Sequence, residues 1–269
     1  NATVKSTAGK VELDGLAGVV AQEATLLAAE AVTVTANENV EVSNSTVEAA
    51  SLAITAAKNL TGTGLKGKIT GAAALTAGEN LVLDSADLSG GTVSAVAAQG
   101  LSALGATINA TEGTLTLTAE AADIDVSGAT LTAEDEVKLT AKQSITATEA
   151  SVEADSLTMT AETGKLDGSR LTATVADQAS IVAGDSVMLD KTVLTAGALT
   201  ATATTGILSV KDAEIKATKD GVTLTAEAAD IDASGVNLSA VGAATLTAGQ
   251  DLKLATSGDA VARVTAKSL

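Results

Sequence analysis

The chain has 269 residues, 46% of them hydrophobic, yet it contains no Phe, Trp, Tyr, His, Pro or Cys. A core without aromatic side chains has to be narrow and regular, which excludes an ordinary globular domain, and the apolar content excludes a disordered chain. The net charge is -17, from 16 Lys and Arg against 33 Asp and Glu, so the chain repels nucleic acids and anionic lipids, and no apolar run is long enough to span a membrane.

A first strand is predicted in every repeat, because apolar residues alternate strictly with polar ones over four to six positions. Alternate side chains of a strand point to opposite faces, so one set faces inward. The predicted inward residues are Val11 and Leu13, Val32 and Val34, Leu52 and Ile54, Ala73 and Leu75, Val93 and Ala95, Leu115 and Leu117, Val137 and Leu139, Leu157 and Met159, Ile181, Leu199 and Ala201, Val222 and Leu224, and Ala244 and Leu246.

A short turn and two further strands complete each predicted repeat. In most copies the turn ends on Asn, Gly, Asp or Ser, which suit a tight corner. The second strand is predicted to begin at Val40, Leu60, Leu81, Leu101, Ile124, Ile145, Leu166, Val187, Ile207, Ile231 and Leu252. The third strand is marked by Leu26, Val47, Leu88, Ile108, Leu131, Val152, Leu171, Leu194, Ile215 and Leu238.

All three series advance by about 21 residues, a period typical of solenoids that is too short for a pair of helices. Residues 117–128 and 224–235 are nearly identical and differ only at Val126 and Ala233. One turn alone cannot offset the entropy of ordering it, so turns have to stack. The sequence therefore predicts an all-β fold, a right-handed parallel β-helix with three strands per turn and about 12 turns. Residues 1–269 are predicted to form a single β-solenoid with no distinct capping domain.

The sequence Leu-Thr-Ala-Gly-Glu-Asn-Leu-Val-Leu at residues 75–83 resembles the haemagglutinin-type repeats of large bacterial exoproteins. Residues 246–254, Leu-Thr-Ala-Gly-Gln-Asp-Leu-Lys-Leu, resemble them as well. This is the family of filamentous haemagglutinin-like adhesins exported by two-partner secretion, and the likeness extends over nearly the whole chain. It implies a right-handed parallel β-helix, secretion as an unfolded chain and a role as an extracellular shaft in adhesion or biofilm. The family has no catalytic residues to carry over.

A threonine series on the outward side of the first strand is the candidate binding surface. Paired threonine columns on a flat solenoid face resemble ice-binding proteins, whereas the alternative is that Thr simply suits strands. The series consists of Thr33, Thr35, Thr55, Thr76, Thr116, Thr118, Thr140, Thr158, Thr160, Thr200, Thr202, Thr223, Thr225, Thr245 and Thr247. Val96, Lys138 and Val182 interrupt it.

No catalytic, cofactor-binding or metal site is predicted, since His and Cys, the usual bases and nucleophiles, are absent. Two carboxylate pairs, Asp123 with Asp125 and Asp230 with Asp232, could bind Ca²⁺ or simply cap turns. The glycine-rich and Asp-rich nonapeptide of calcium β-rolls does not occur.

The leading functional hypothesis is a non-enzymatic, extracellular structural protein: a shaft, an adhesin segment or a fibre subunit. Neither end has a recognisable cap, and unpaired strand edges recruit further strands. The expected partners are therefore copies of the chain stacked end to end or neighbouring solenoid segments, besides a host-cell or matrix surface. Two other hypotheses are an ice or surface binder that uses the threonine face and a carbohydrate-active β-helix enzyme. The short turns and missing aromatic residues disfavour the enzyme.

Overall fold

A computed structural model describes residues 2–256, 262–265 and 267 of the chain. These residues form strands and turns with no helix, as three parallel strands per turn in about 12 turns of about 21 residues. The predicted β-solenoid is confirmed, while its right-handedness stays a prediction. The chain divides into two compact units, Asn1–Asp135 and Glu136–Leu269, here called unit 1 and unit 2.

Unit 1 contains three sheets to which the chain returns once in every turn. Its strands are β1 (Thr3–Ser6), β2 (Val11–Gly15), β3 (Val19–Val20), β4 (Thr25–Ala28), β5 (Ala31–Ala36), β6 (Val40–Glu41), β7 (Thr46–Ala49), β8 (Ser51–Ala56), β9 (Leu60–Thr61), β10 (Lys66–Ile69), β11 (Ala72–Ala77), β12 (Leu81–Val82), β13 (Asp87–Gly90), β14 (Thr92–Ala97), β15 (Leu101–Ser102), β16 (Thr107–Ala110), β17 (Leu115–Ala119), β18 (Ile124–Asp125) and β19 (Thr130–Ala133). Every third strand belongs to the same sheet. Sheet A starts with β1, sheet B with β2 and sheet C with β3.

Unit 2 repeats this arrangement of three sheets. Its strands are β20 (Glu136–Ala141), β21 (Ile145–Thr146), β22 (Ser151–Ala154), β23 (Ser156–Ala161), β24 (Leu166–Asp167), β25 (Thr172–Val175), β26 (Gln178–Ala183), β27 (Val187–Met188), β28 (Val193–Ala196), β29 (Ala198–Ala203), β30 (Leu208–Ser209), β31 (Glu214–Ala217), β32 (Val222–Ala226), β33 (Ile231–Asp232), β34 (Asn237–Ala240), β35 (Ala244–Ala248), β36 (Leu252–Lys253) and β37 (Arg263–Thr265). Sheet B starts here with β20, sheet C with β21 and sheet A with β22.

The core of each unit consists of columns of aliphatic side chains that stack turn upon turn. The predicted first strands form sheet B, where Leu75 pairs with Ile54 on one side and Ala95 on the other. In unit 2, Leu224 is paired in the same way between Ala201 and Leu246. Full burial of one aliphatic side chain contributes roughly 1.5–3 kcal/mol to the free energy of folding. The fold is therefore stabilised by the sum of these contributions along each column.

The corner between sheets C and A contains one left-handed residue in every complete turn. Its φ lies between 50° and 69° at Glu23, Asn44, Gly64, Ser85, Gly105, Gly128, Glu149, Arg170, Lys191, Asp212 and Gly235. From Asn44 onward, each of these residues is the third residue of a tight β-turn. The carbonyl two residues before it accepts a hydrogen bond from the N–H of the residue after it, for example Gly62 O from Leu65 N at 3.0 Å. Positive φ at the third residue is the mark of such turns, and only Gly adopts it freely.

The prediction of a third strand at Leu171 is wrong by two residues. Ala173 is the residue that pairs with Val152 and Leu194 in sheet A, whereas Leu171 lies in the preceding corner and is fully buried. The reason is packing: the corner contains Gly168, and a Leu171 side-chain carbon lies 3.5 Å from where a Cβ of Gly168 would stand. Leu171 therefore fills the volume that Gly168 leaves open.

The prediction of a second strand starting at Ile207 is wrong by one residue. Leu208 pairs with Val187 and Ile231 and is fully buried, whereas Ile207 is 44% exposed. Two successive aliphatic residues fit the sequence pattern equally well, and only the pairing with both neighbours selects Leu208. A one-residue shift moves every following side chain to the other face.

The same sheets contain two positions that the sequence patterns missed. Val19 pairs with Val40 in sheet C, although it is partly exposed. Gly67 occupies an inward position of sheet A beside Leu88, where a Cβ would clash with Leu88 Cδ1. A glycine carries no apolar signal, so the strand β10 could not be recognised from periodicity.

Units 1 and 2 repeat one another in sequence and in side-chain contacts, five turns apart. Asp84 Oδ1 accepts bonds from Ser102 Oγ at 2.5 Å and from Leu104 N at 3.0 Å. Asp190 Oδ1 accepts bonds from Ser209 Oγ at 2.5 Å and from Lys211 N at 2.9 Å. The same aspartate contact therefore recurs at equivalent positions of the two units.

Replacing the left-handed Lys191 with Gly is expected to stabilise the protein. A left-handed residue other than Gly costs about 1–2 kcal/mol, and the greater unfolded-state entropy of Gly offsets roughly half of that gain. The control is Lys216→Gly, since Lys216 lies on the exposed face of β31 without a positive φ. Chemical denaturation should show a higher midpoint for K191G and a lower midpoint for K216G. Equal losses in both variants would contradict the strain assignment.

Deleting residues 120–226 is expected to leave a folded, shorter solenoid. The deletion joins Ala119 to Glu227 and recreates the Ala-Glu-Ala-Ala-Asp-Ile-Asp sequence that follows Leu117-Thr118 in the full chain. The control removes residues 117–224 and joins Thr116 to Thr225, which directs a threonine inward and reverses the alternation. Circular dichroism and thermal melting should show cooperative β-structure in the first variant and its loss or strong destabilisation in the second.

Candidate functional site

The threonine series lies on the outward face of sheet B as two columns in each unit. In unit 1 the first column is Thr33, Ala53, Ala74, Ser94 and Thr116, and the second is Thr35, Thr55, Thr76, Val96 and Thr118. Each residue pairs directly with its neighbours in the column. The structure therefore brings the predicted residues of this unit together, but alanine and serine occupy the middle of the first column.

Unit 2 carries a denser version of the same face. Its first column is Lys138, Thr158, Ser180, Thr200, Thr223 and Thr245, and its second is Thr140, Thr160, Val182, Thr202, Thr225 and Thr247. The strands β29, β32 and β35 contribute an uninterrupted block of six threonines. Neighbouring strands lie about 4.8 Å apart and alternate residues of a strand about 6.6 Å apart, so the hydroxyls form a nearly rectangular grid.

The hydroxyls of this block point to solvent without protein partners. Within the described part of the chain, none of the six threonines of β29, β32 and β35 forms a side-chain hydrogen bond. Thr158 is different, because its Oγ1 donates to Glu136 Oε1 at 2.6 Å at the other end of the face. The six hydroxyls are consequently available for water or for an external surface.

Among the described strands of sheet B in unit 2, Glu136 of β20 is the one acidic residue at an outward position, although the chain contains 33 acidic residues. The two outward columns of sheet B in unit 2 include one charged residue, Lys138. On sheet A of the same unit, Glu153, Glu214 and Lys216 all occupy outward positions. The contrast marks sheet B as the flat, weakly charged side of the unit.

One carboxylate of each pair caps its own turn, whereas Asp230 Oδ1 accepts a bond from Asp251 N of the next turn at 2.9 Å. Asp125 Oδ1 accepts bonds from Ser127 N at 3.0 Å and from Ser127 Oγ at 2.6 Å. Asp232 Oδ1 accepts the same two bonds from Ser234, at 3.0 Å and 2.5 Å. No group of three or more metal-ligating side chains occurs among the described residues. Asp125 and Asp232 thus provide turn caps of the kind that Asp commonly forms.

Sequence patterns missed an asparagine ladder at the corner between sheets B and C of unit 1. Asn59 N and Nδ2 donate to Asn39 Oδ1 at 3.1 and 3.2 Å, and Asn80 N and Nδ2 donate to Asn59 Oδ1, both at 3.1 Å. Gly100 N continues the ladder to Asn80 Oδ1. The recurrence of Asn before an aliphatic residue was the available signal, but the bonds between successive turns need the register.

Two of the surface clefts are lined by charged side chains. A cavity of about 550 Å³ lies over the edge of sheet A in unit 1, beside Lys5, Glu48 and Lys68. A second, of about 580 Å³, lies in unit 2 beside Ile207, Asp232 and Lys253. In the second, Asp232 is already engaged by Ser234 and by Lys253 Nζ at 3.2 Å.

No protein-family model matches the chain, and searches of curated proteins and of solved structures found no match. The described part of the chain also contains no helix long and apolar enough to cross a lipid bilayer. The resemblance to haemagglutinin-type repeats accordingly stays a prediction from the quoted motifs.

Asp232 is expected to make stability depend on acid pH. Burial alone raises the pKa of its carboxyl, but the bonds from Ser234 and the charge of Lys253 outweigh burial and lower that pKa. A carboxyl with a lowered pKa stabilises the folded state above its unfolded pKa of about 3.9, and this contribution is lost as the pH falls through the folded pKa.

The measurement is a carboxyl-carbon titration by NMR, combined with melting curves from neutral to acid pH. Asp232→Asn should lower the melting temperature at pH 7, with the difference narrowing below about pH 4. Lys253→Gln should raise the Asp232 pKa. A folded-state pKa at or above that of a model peptide would contradict the assignment.

Proposed function

We propose that the chain is a non-enzymatic structural segment of a bacterial extracellular protein, a β-solenoid shaft that extends an adhesin or builds a fibre. The observation that carries the proposal is the unbroken parallel pairing of equivalent turns within each unit. Every strand is hydrogen-bonded along its length to the strands of adjacent turns of its unit, so a pulling force is distributed over many backbone bonds.

Side chains add bonds between turns that suit a load-bearing element. The asparagine ladder links Asn39, Asn59 and Asn80, and surface ion pairs such as Lys58 with Glu38 join neighbouring turns at 3.3 Å. Exposed ion pairs of this kind contribute little individually, about 0–1 kcal/mol. The backbone ladders and the aliphatic columns therefore supply most of the resistance.

Composition supports export and a passive role. A chain without Cys passes through oxidising compartments without forming wrong disulfides, and a high net charge keeps an extended repeat protein soluble. The partners of such a segment are neighbouring solenoid segments or copies of the chain, together with a host-cell or matrix surface.

The proposal predicts resistance to proteases. Lys and Arg residues at strand positions, such as Lys138 and Lys216, are held in extended, hydrogen-bonded backbone that does not fit a protease active site. Purified protein should stay uncut at Lys138 and Lys216 during prolonged trypsin digestion, as measured by mass spectrometry. The register-shifted deletion of residues 117–224 is the matched control and should be digested quickly.

Location is tested on intact cells of the source bacterium with antibodies against the purified chain. Labelling of unpermeabilised cells, or recovery of the protein from the medium, is the expected result. Labelling that appears only after permeabilisation would refute the extracellular role. Light scattering with negative-stain microscopy then separates a fibre subunit, which forms filaments that grow with concentration, from a shaft segment, which stays monomeric.

A further inference from the structure

We infer that the outward face of sheet B in unit 2 binds ice. The inference does not depend on the shaft proposal, because it concerns a different property and a single unit. It rests on three features of the face: the grid of threonines, the absence of acidic residues from its two columns, and the free hydroxyls of its central block.

The first step is geometric. Five successive strands, β23, β26, β29, β32 and β35, place Thr, Ser or Val at both outward positions. Ser180 and Val182 are the only departures from Thr in this set, and each preserves part of the threonine side chain, the hydroxyl in one and the branched methyls in the other. The face is therefore continuous in shape over five turns.

The second step concerns spacing. A repeat of about 4.8 Å across strands and about 6.6 Å along them is fixed by the backbone and does not depend on rotamers. The repeat across strands is the dimension of this grid that comes close to a spacing of oxygen atoms in hexagonal ice. Threonine is also restricted at χ1, so its hydroxyl and methyl groups occupy the same orientation in successive turns.

The third step concerns water. A surface that orders water into a lattice needs hydroxyls to anchor the layer and methyls to limit competing hydrogen bonds. The central hydroxyls, those of Thr200, Thr202, Thr223, Thr225, Thr245 and Thr247, make no bond to other described residues. Ionised groups hold water in shells that do not fit ice, and at the outward strand positions of this face they occur only on the end strand β20, as Glu136 and Lys138.

Unit 1 provides an internal comparison. The first column of its sheet B has Ala53, Ala74 and Ser94 between two threonines, so paired threonines occur only at the two ends of the β5–β17 face. The second column has Val96 in its fourth position. Because its threonine grid is denser, the ice-binding face is assigned to sheet B of unit 2.

The experiment measures thermal hysteresis and ice-crystal shape with the purified full chain. Wild-type protein should separate the freezing and melting temperatures and produce faceted crystals. Thr225→Lys places a long cationic side chain in the central block and should lose the hysteresis. Thr225→Val keeps the shape of the side chain and should retain most of it.

The matched control is Thr174→Lys, at an outward position of sheet A in the same unit, beside Glu153. It should behave like wild type, and melting curves verify that all variants are folded. Rounded crystals without a hysteresis gap in the folded wild-type protein would overturn the inference. So would a folded T225K variant with full activity, or adsorption to crystalline cellulose in place of ice.

Discussion

The hydrogen-bonded pairing of each strand with the equivalent strand one turn away is the constraint on which the structure depends. No turn can bury its own aliphatic side chains, since three short strands enclose a space only when a further turn covers it. Pairing at a fixed spacing aligns equivalent residues, so that columns such as Ile54, Leu75 and Ala95 form the core.

The corners show how variation is accommodated within that constraint. A left-handed residue recurs in every complete turn, and seven of the eleven are not glycine, so tertiary pairing imposes the conformation even where the side chain opposes it. Volumes are likewise balanced between positions: Gly168 is compensated by Leu171, and the glycine at position 67 makes room for Leu88. Strain and unusual residues are thus tolerated because the turns on both sides over-determine the path of the chain.

The outward surface is free of these packing demands, and for that reason its pattern bears on function. Sheet A carries charges of both signs, whereas sheet B of unit 2 carries threonine at most positions and a single charge in its two columns. A structural shaft requires only that the outside be polar. The regular grid of unpartnered threonine hydroxyls on sheet B of unit 2 is therefore the place where we propose a role in binding, separate from that of the shaft.

The sequence by itself determined the fold class, the period of about 21 residues, the inward residues of sheet B and the membership of the threonine columns. The period-two alternation recurs about twelve times. The register of a weak copy, such as the one at Ile181, can therefore be inferred from the repeats on either side of it. The tertiary structure alone decided the inward residue where two aliphatics adjoin, as at Ile207 and Leu208, and where glycine replaces the marker, as at Gly67. It also decided which side chains bond between turns, as Asn59 does with Asn39 and Asn80. Those choices depend on contacts with residues about 21 positions away, which a local pattern does not contain.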